Sequence, residues 1–381
     1  MLPSYADLQK HNNFLSSVYD KIKSMTELEK YNFFLQEERN YVSSIRENLL
    51  TVDNFAHHIH LLNPTEYHLY HEFNFDIHLL KSMNDILLCY NCNEKYNLEN
   101  KYNLHICKLD VVCDRCSAKI TYEEFFLNNM INKFKLYETS DLIITIISSV
   151  STRNSTSGPQ EKLKLFSVYE NILANIKEKY NKVNKKTEDT IYKIINKEYN
   201  NLSYFPFDLI KGSFRHIDFL QKFIKNINIY NTELFYKNSL KNYVKFVNLI
   251  KCFKEESVPT FAIDIIWHVH IKNHLEYRRY TLDVLGYMLN HNDNITSTHT
   301  KKTYSKTCLN WSELYGEKYS EEIPDYNCLT NSCLPNFKIM RLKKLYKNNL
   351  SKCTCTQNQV NIQQNKMYYK TNLEKELFHS T

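Results

Sequence analysis

Residues 259–293 read PTFAIDIIWHVHIKNHLEYRRYTLDVLGYMLNHND, and no other stretch of the chain is so dense in chemically capable side chains. Ile265, Ile266, Val269, Leu275, Leu282, Val284, Leu285, Met288 and Leu289 recur at intervals that suit one or two amphipathic helices. Pro259 and Thr260 stand where helix-start residues belong, and Gly286 lies near the end of the run. Asp264 and His268 are four positions apart and share a helix face. His270 points elsewhere, toward the face of Trp267 and His274. A regular helix cannot turn both His268 and His270 to one ion, which argues against a simple dinuclear site.

A second segment repeats the pattern. HHIHLLNPTEY at 57–67 places His58, His60, Asn63, Glu66 and Tyr67 each 210 residues before His268, His270, Asn273, Glu276 and Tyr277. Asp53 and Asp264 precede the two copies, with the offset changed by one. An internal duplication and a chance match in a chain rich in His, Asn and Tyr both account for this.

The 259–293 stretch resembles the signature of the glycine-rich domain-containing protein-like family of plants and fungi. Pro259, Thr260, Asp264, Trp267, His268, His270, Tyr277, Gly286, His291 and Asp293 match its WHxH and HDD-type motifs, with Asn292 at the middle acidic position and His274 where prolines are usual. Leu62, Asn63, Pro64 and Tyr67 resemble an earlier family segment, with His57 in place of its tryptophan. Residues 206–224 and 307–322 are also similar to family segments, so the resemblance spans roughly residues 30–325. It implies a fold more than a reaction, and the glycine-rich region is missing.

Composition narrows the class. A chain of 381 residues can bury a sizeable core, and 43% hydrophobic residues with 29 Tyr and 21 Phe exclude a disordered composition. With only 4 Gly and 7 Pro, long helices are favoured over a sheet punctuated by glycine turns. The charge of +7 is spread along the chain rather than clustered with aromatics, which is weak evidence for nucleic acid. MLPSYADLQKHNN has no apolar signal core and no run spans a bilayer, so a cytoplasmic, reducing location without integral membrane contact is expected. There, 11 cysteines favour metal over disulfides.

The most specific chemical signal is Cys89-x2-Cys92 followed, 20 residues later, by Cys113-x2-Cys116. Two such doublets supply the four thiolates of a closed, structural zinc site. Tyr102, Leu104, Ile106, Leu109 and Val111 alternate as short strands would, so a zinc-ribbon-like β hairpin at about 87–120 is expected, inserted in a multi-helical body. Cys107 and His105 are spare ligands.

Helices are expected in 1–50, where Thr26 and Glu29 form a capping box, and over 52–62, 66–88, 161–180, 187–199, 207–226, 232–254 and 300–317, with a helix followed by an apolar segment over 122–150. The expected organisation is an N-terminal helical half (1–147), a loop at 148–162, a C-terminal helical half (163–325) and a basic, partly disordered tail (326–381). In the tail, Cys328, Cys333, Cys353 and Cys355 are spaced too loosely for a strong metal signature.

The expected fold is therefore mainly α, with two His-x-His helical segments and one inserted hairpin. The expected function is a zinc-stabilised, non-catalytic binding role with a protein partner. One alternative is a metal-dependent hydrolase or oxygenase built on Asp264, His268, His291 and Asp293 as a second metal site, with His58 reaching in from a facing helix. His268, His270 and Glu276 would then be its catalytic candidates. Nucleic-acid binding is the further alternative.

Overall fold

Ser4 and Thr26 open their helices by the same device. Ser4 Oγ accepts the Asp7 N–H at 3.2 Å while the Asp7 carboxylate accepts the Ser4 N–H at 2.8 Å, starting α1 (Tyr5–Ile22). Thr26 and Glu29 repeat the exchange at 3.3 and 2.7 Å to start α2 (Glu27–Arg46). Each box satisfies N–H groups that the first helical turn leaves unpaired.

The computed structural model describes residues 1–49, 53–72, 80–136, 174, 185–292 and 297–319. It continues with α3 (Phe55–Leu61), α4 (Pro64–Glu72), α5 (Met83–Ile86) and α6 (Leu98–His105). The strands β1 (Val111–Val112) and β2 (Lys119–Ile120) follow, then α7 (Tyr122–Leu136), α8 (Lys185–Asn200), α9 (Leu209–Lys225) and α10 (Ile227–Tyr230). The last described helices are α11 (Glu233–Phe253), α12 (Phe261–Lys272), α13 (His274–Leu285) and α14 (Ser297–Tyr315). The described residues are mainly α, with one two-stranded antiparallel hairpin among them. Among the described residues, no helix is long and apolar enough to cross a membrane.

Two expectations need correction. Tyr102 and Leu104 lie on α6, not on strands, because the Asn97 side chain accepts the Asn100 N–H at 2.8 Å and caps a helix there. The hairpin is consequently short and open, pairs Val111 with Ile120, and is not a zinc ribbon. The helix expected over 66–88 also differs: α4 is described as far as Glu72, residues 80–82 are not helical, and a separate turn, α5, starts after Ser82. The Asp85 carboxylate accepts both the N–H and the hydroxyl of Ser82, at 3.2 and 2.9 Å. The loop expected at 148–162, the helix expected at 161–180 (apart from position 174), Asp293 and the 326–381 tail lie outside the described residues.

The chain forms two compact units. One draws on Met1–Lys23, His58–His68 and the described part of Arg215–Val360. Its centre is α12, which buries Phe261, Ile263, Ile265, Ile266, Trp267, His268, Val269, His270 and Ile271 against α1, α11 and α13. A helix apolar on nearly every side belongs inside a core. Thr260 caps it by accepting the Ile263 N–H at 3.4 Å. Gly286 closes α13 with φ of 82°, a left-handed conformation in which a side chain would be strained.

Tyr277 on α13 locks this centre. It is fully buried, takes the Trp267 indole N–H at 2.9 Å and donates its hydroxyl to the Leu289 carbonyl at 2.6 Å. Tyr277→Phe leaves a buried donor and acceptor unpaired, so a loss of about 1–3 kcal/mol is expected in denaturant unfolding. An unchanged midpoint would show that these two bonds carry no stability.

The other unit draws on Ser24–His57 and the described part of Leu69–Phe214. Here α2 buries Tyr31, Phe34, Leu35, Glu38, Tyr41 and Val42 and packs on α5 and α6. His105 Nε2 lies 2.7 Å from Asp208 Oδ2, and Tyr31 Oη lies 3.1 Å from His105 Nδ1. Asp208 also accepts the N–H groups of Ile210 and Lys211 at the start of α9. Burial opposes its charge, but His105 and Lys211 outweigh burial and hold the carboxyl below its usual range.

Candidate metal centres

The two cysteine doublets form matching turns. Cys89 N–H donates to Glu94 O at 2.8 Å and Asn93 N–H returns to Cys89 O at 2.7 Å. In the second turn Cys113 N–H donates to Ala118 O at 3.0 Å and Ser117 N–H to Cys113 O at 2.8 Å. Asn93 and Ser117 take the left-handed conformation, with φ of 59° and 57°. A Leu88–Lys95 bridge brackets the first turn and β1–β2 the second. An Arg115–Glu94 ion pair of 2.9 Å and an Asn97–Asp114 hydrogen bond of 2.9 Å tie the two turns together.

The four sulfurs lie within 4.8 Å of one another. Cys89 Sγ is 3.7 Å from Cys116 Sγ, and Cys92 Sγ is 3.6 Å from Cys113 Sγ. Zinc–sulfur bonds of about 2.3 Å in a tetrahedron imply sulfur–sulfur edges of about 3.8 Å. The arrangement is thus a cage of the right size. An amide N–H from Asn91, at 3.4 Å, holds the Cys116 thiol down at about 6. At Cys92 a bond from the Glu94 backbone favours the thiolate, but burial and the neighbouring sulfurs outweigh it and push the thiol up to about 12. Four thiolates at this distance need a cation to share.

A second set of donors converges in the other unit. Asp264 and His268 project from one face of α12, and His291 comes from the segment after α13. His268 Nε2 and His291 Nε2 are 3.2 Å apart, and Asp264 Oδ1 lies 3.0 Å from His291 Nε2 and 3.5 Å from His268 Nε2. Bonds of about 2.1 Å to one ion give donor–donor edges of about 3.0 Å at right angles and 3.4 Å in a tetrahedron. The triangle fits either geometry. His291 Nδ1 donates to the Leu62 carbonyl at 3.1 Å, so in the neutral ring Nε2 keeps its lone pair, directed at the other two donors. Burial, and then the neighbouring rings of His291, His216, His11 and His58, keep His268 neutral well below its ordinary range. Its Nδ1 is buried without a hydrogen-bond partner.

The structure does not bring His270 and Glu276 to this triangle. His270 receives the Tyr243 hydroxyl at Nδ1 (2.9 Å) and donates from Nε2 to the Met1 carbonyl (2.9 Å). Burial pulls it down to about 4. Glu276 is held by the Met1 ammonium at 2.7 Å and by Arg279 at 2.8 Å. His58 is near, its ring centroid 6.5 Å from that of His268, yet it is not one of the converging donors.

Two histidines escape a reading of motifs. His11 on α1 and His216 on α9 are buried beside His268, at ring separations of 6.3 and 5.6 Å. The available signal is periodicity: Leu8, His11, Leu15 and Val18 lie on one buried stripe of α1.

Fold and sites together define a mainly helical protein with two candidate metal centres, one of four cysteines and one of two histidines and an aspartate. Residues 154–279 match the model of the family described as "Glycine-rich domain-containing protein-like", a distant similarity over that part of the chain. It is similar to glycine-rich domain-containing protein 1 of Arabidopsis thaliana, 31% identical over 98 residues, which cover 23% of this chain and 12% of that protein. It is likewise similar to glycine-rich domain-containing protein 2 of the same plant, 30% identical over 98 residues with the same coverage. The matched segment is thus about an eighth of the length of these relatives. No solved structure matches the chain.

Proposed function

We propose that this chain is a zinc-stabilised binding protein that holds a structural zinc in the cage of Cys89, Cys92, Cys113 and Cys116 and a second divalent ion on Asp264, His268 and His291. The observation that carries the second site is the triangle of donors at 3.0, 3.2 and 3.5 Å, with the His291 lone pair aimed inward. Such a site made of a carboxylate and imidazoles suits zinc or another first-row ion. Its role is structural or in binding, since His270 and Glu276 are committed to other partners. The parallel turns at Asn63 and Asn273 support reading the two His-x-His segments as an internal repeat. In each, the Asn N–H bonds to the carbonyl of His60 or His270 at 3.1 Å. In each, the later tyrosine, Tyr67 or Tyr277, also packs edge-on against that histidine, at 5.0 and 5.2 Å.

The catalytic alternative draws support from one observation. Two histidines and one carboxylate leave coordination positions open, and the Asp264 side chain is 20% exposed. A divalent ion there would supply Lewis acidity.

His291→Ala tests the proposal. Metal analysis after loading with zinc is expected to show one ion fewer than wild type, with the cysteine-bound zinc retained. An unchanged metal count would remove the second site. Hydrolytic activity lost together with that ion would instead favour the catalytic alternative.

A further inference from the structure

The Asp264–His268–His291 triangle uses only one side of the His268 ring. Its other nitrogen, Nδ1, is buried without a hydrogen-bond partner. Around the ring stand His216, His11 and His58, at centroid separations of 5.6, 6.3 and 6.5 Å. His58 in turn lies 5.4 Å from both His11 and His216. All belong to one compact unit, and each is at most 4% exposed.

His11 is the telling member. It is completely buried, and neither of its ring nitrogens has a hydrogen-bond partner. A histidine kept only for its shape could be replaced by an apolar ring without leaving a polar atom unpaired, whereas a lone pair waiting for an ion explains the choice. Four imidazoles bound tetrahedrally, with metal–nitrogen bonds of about 2.1 Å, would place their ring centroids about 5.2 Å apart. The observed spacings run from 5.4 to 6.5 Å, widest between His268 and the rings of His11 and His58, and only the cysteine cage and the Asp264 triangle have donor atoms already converged among the described residues. An ion would have to draw the rings inward. At His11 a half-turn of the ring breaks no hydrogen bond and exchanges its nitrogen and carbon positions, so its donor can be turned toward the other rings.

We propose that His11, His58 and His216 form a further metal-binding site beside the Asp264–His268–His291 centre, with His268 Nδ1 as its fourth donor, so that the His268 ring bridges two ions. The site is made of imidazoles alone, the donor type that suits copper, nickel and zinc rather than magnesium or calcium. No carboxylate joins it. Lys272, whose ammonium sits 4.5 Å over the neighbouring Phe14 ring, opposes a proton on His11 and would oppose an ion too. Binding must therefore come from ligation rather than from net charge. The bridging role of His268 rests on the proposed second ion, whereas the triad of His11, His58 and His216 does not.

The test is zinc and cobalt(II) loading of the full-length chain, with metal counted per chain and the visible spectrum of bound cobalt recorded. The comparison is wild type, His11→Phe, His291→Ala and the double variant. His11→Phe is expected to hold one ion fewer than wild type, His291→Ala also one fewer, and the double variant two fewer. The cobalt bands lost in the two single variants should differ. Equal counts for wild type and His11→Phe, with an ion still lost in His291→Ala, would overturn this inference and leave the proposed function standing. Equal counts in all four proteins would overturn both. If His11→Phe fails to fold, His11→Gln takes its place, judged by the same counts.

Discussion

Replacing Cys89 with serine is expected to strip the proposed structural zinc and to unravel the segment from Leu88 to Ile120. Cys89 is fully buried at the start of the first turn, and its sulfur faces Cys116 at 3.7 Å. Serine keeps the shape but not the thiolate, so three sulfurs remain for an ion that needs four donors. This segment has little else to stabilise it. Its strands are two residues each and α6 has eight residues, below the length at which a helix persists alone. Zinc binding contributes roughly 10–16 kcal/mol of apparent free energy in small zinc domains, and that coupling is what the variant removes. The measurement is metal content together with hydrogen exchange over residues 88–120. Zinc lost and protection collapsed is the expected pair of results. Cys252→Ser, at an exposed cysteine, should change neither. A Cys89→Ser protein that keeps its zinc and its protection would mean the four sulfurs are packed thiols.

Glu38→Gln is expected to stabilise the protein at alkaline pH and to leave it little changed in acid. Glu38 is fully buried on α2 and accepts the Met83 N–H at 2.7 Å. Burial is the main force on it, and although the Met83 bond pulls the other way, Asp208 and Asp85 add to burial and push the carboxyl from 4.5 up to about 8. Between those values the folded chain holds a proton that the unfolded chain has released. Stability is therefore greatest below about 4.5 and falls as pH rises toward 8, by at most about 1.4 kcal/mol per pH unit from this group. The amide cannot ionise and can still accept the Met83 N–H. The difference in unfolding free energy between variant and wild type should grow from pH 5 to pH 8 in favour of glutamine. A difference that stays flat across that range would show that Glu38 is ionised in the folded protein.

Much of the helical architecture could be read directly. The Thr26–Glu29 box and the stop at Asn63–Pro64 act within a turn or two of the backbone, and the structure starts α2 and ends α3 there. The expected helices at 207–226, 232–254 and 300–317 appear as α9, α11 and α14 with ends shifted by a few residues. The cysteine doublets are equally visible because each turn is a local object, six residues closed by its own hydrogen bonds. The stretch between them is different: alternation over Tyr102, Leu104 and Ile106 is a strand signal, but the Asn97 cap starts a helix there, and that helix buries Leu104 and His105 instead.

The histidine-rich unit shows the limit of that kind of reading. Spacing alone pairs Asp264 with His268, since four residues is about one helical turn. That His291 meets them at 3.0 and 3.2 Å depends on where the segment after α13 returns, and Tyr277 sets that return by holding the Leu289 carbonyl. The ring of His11, His58 and His216 around His268 draws on α1, α3, α9 and α12, and no spacing along the chain encodes such a meeting. Sequence by itself determined the helices, their caps and the cysteine turns, because those are set by neighbours within a few residues. Only the tertiary structure decided which histidines share a centre. A helix buried on nearly every side, as α12 is, carries no amphipathic pattern to say which of its faces meets which partner.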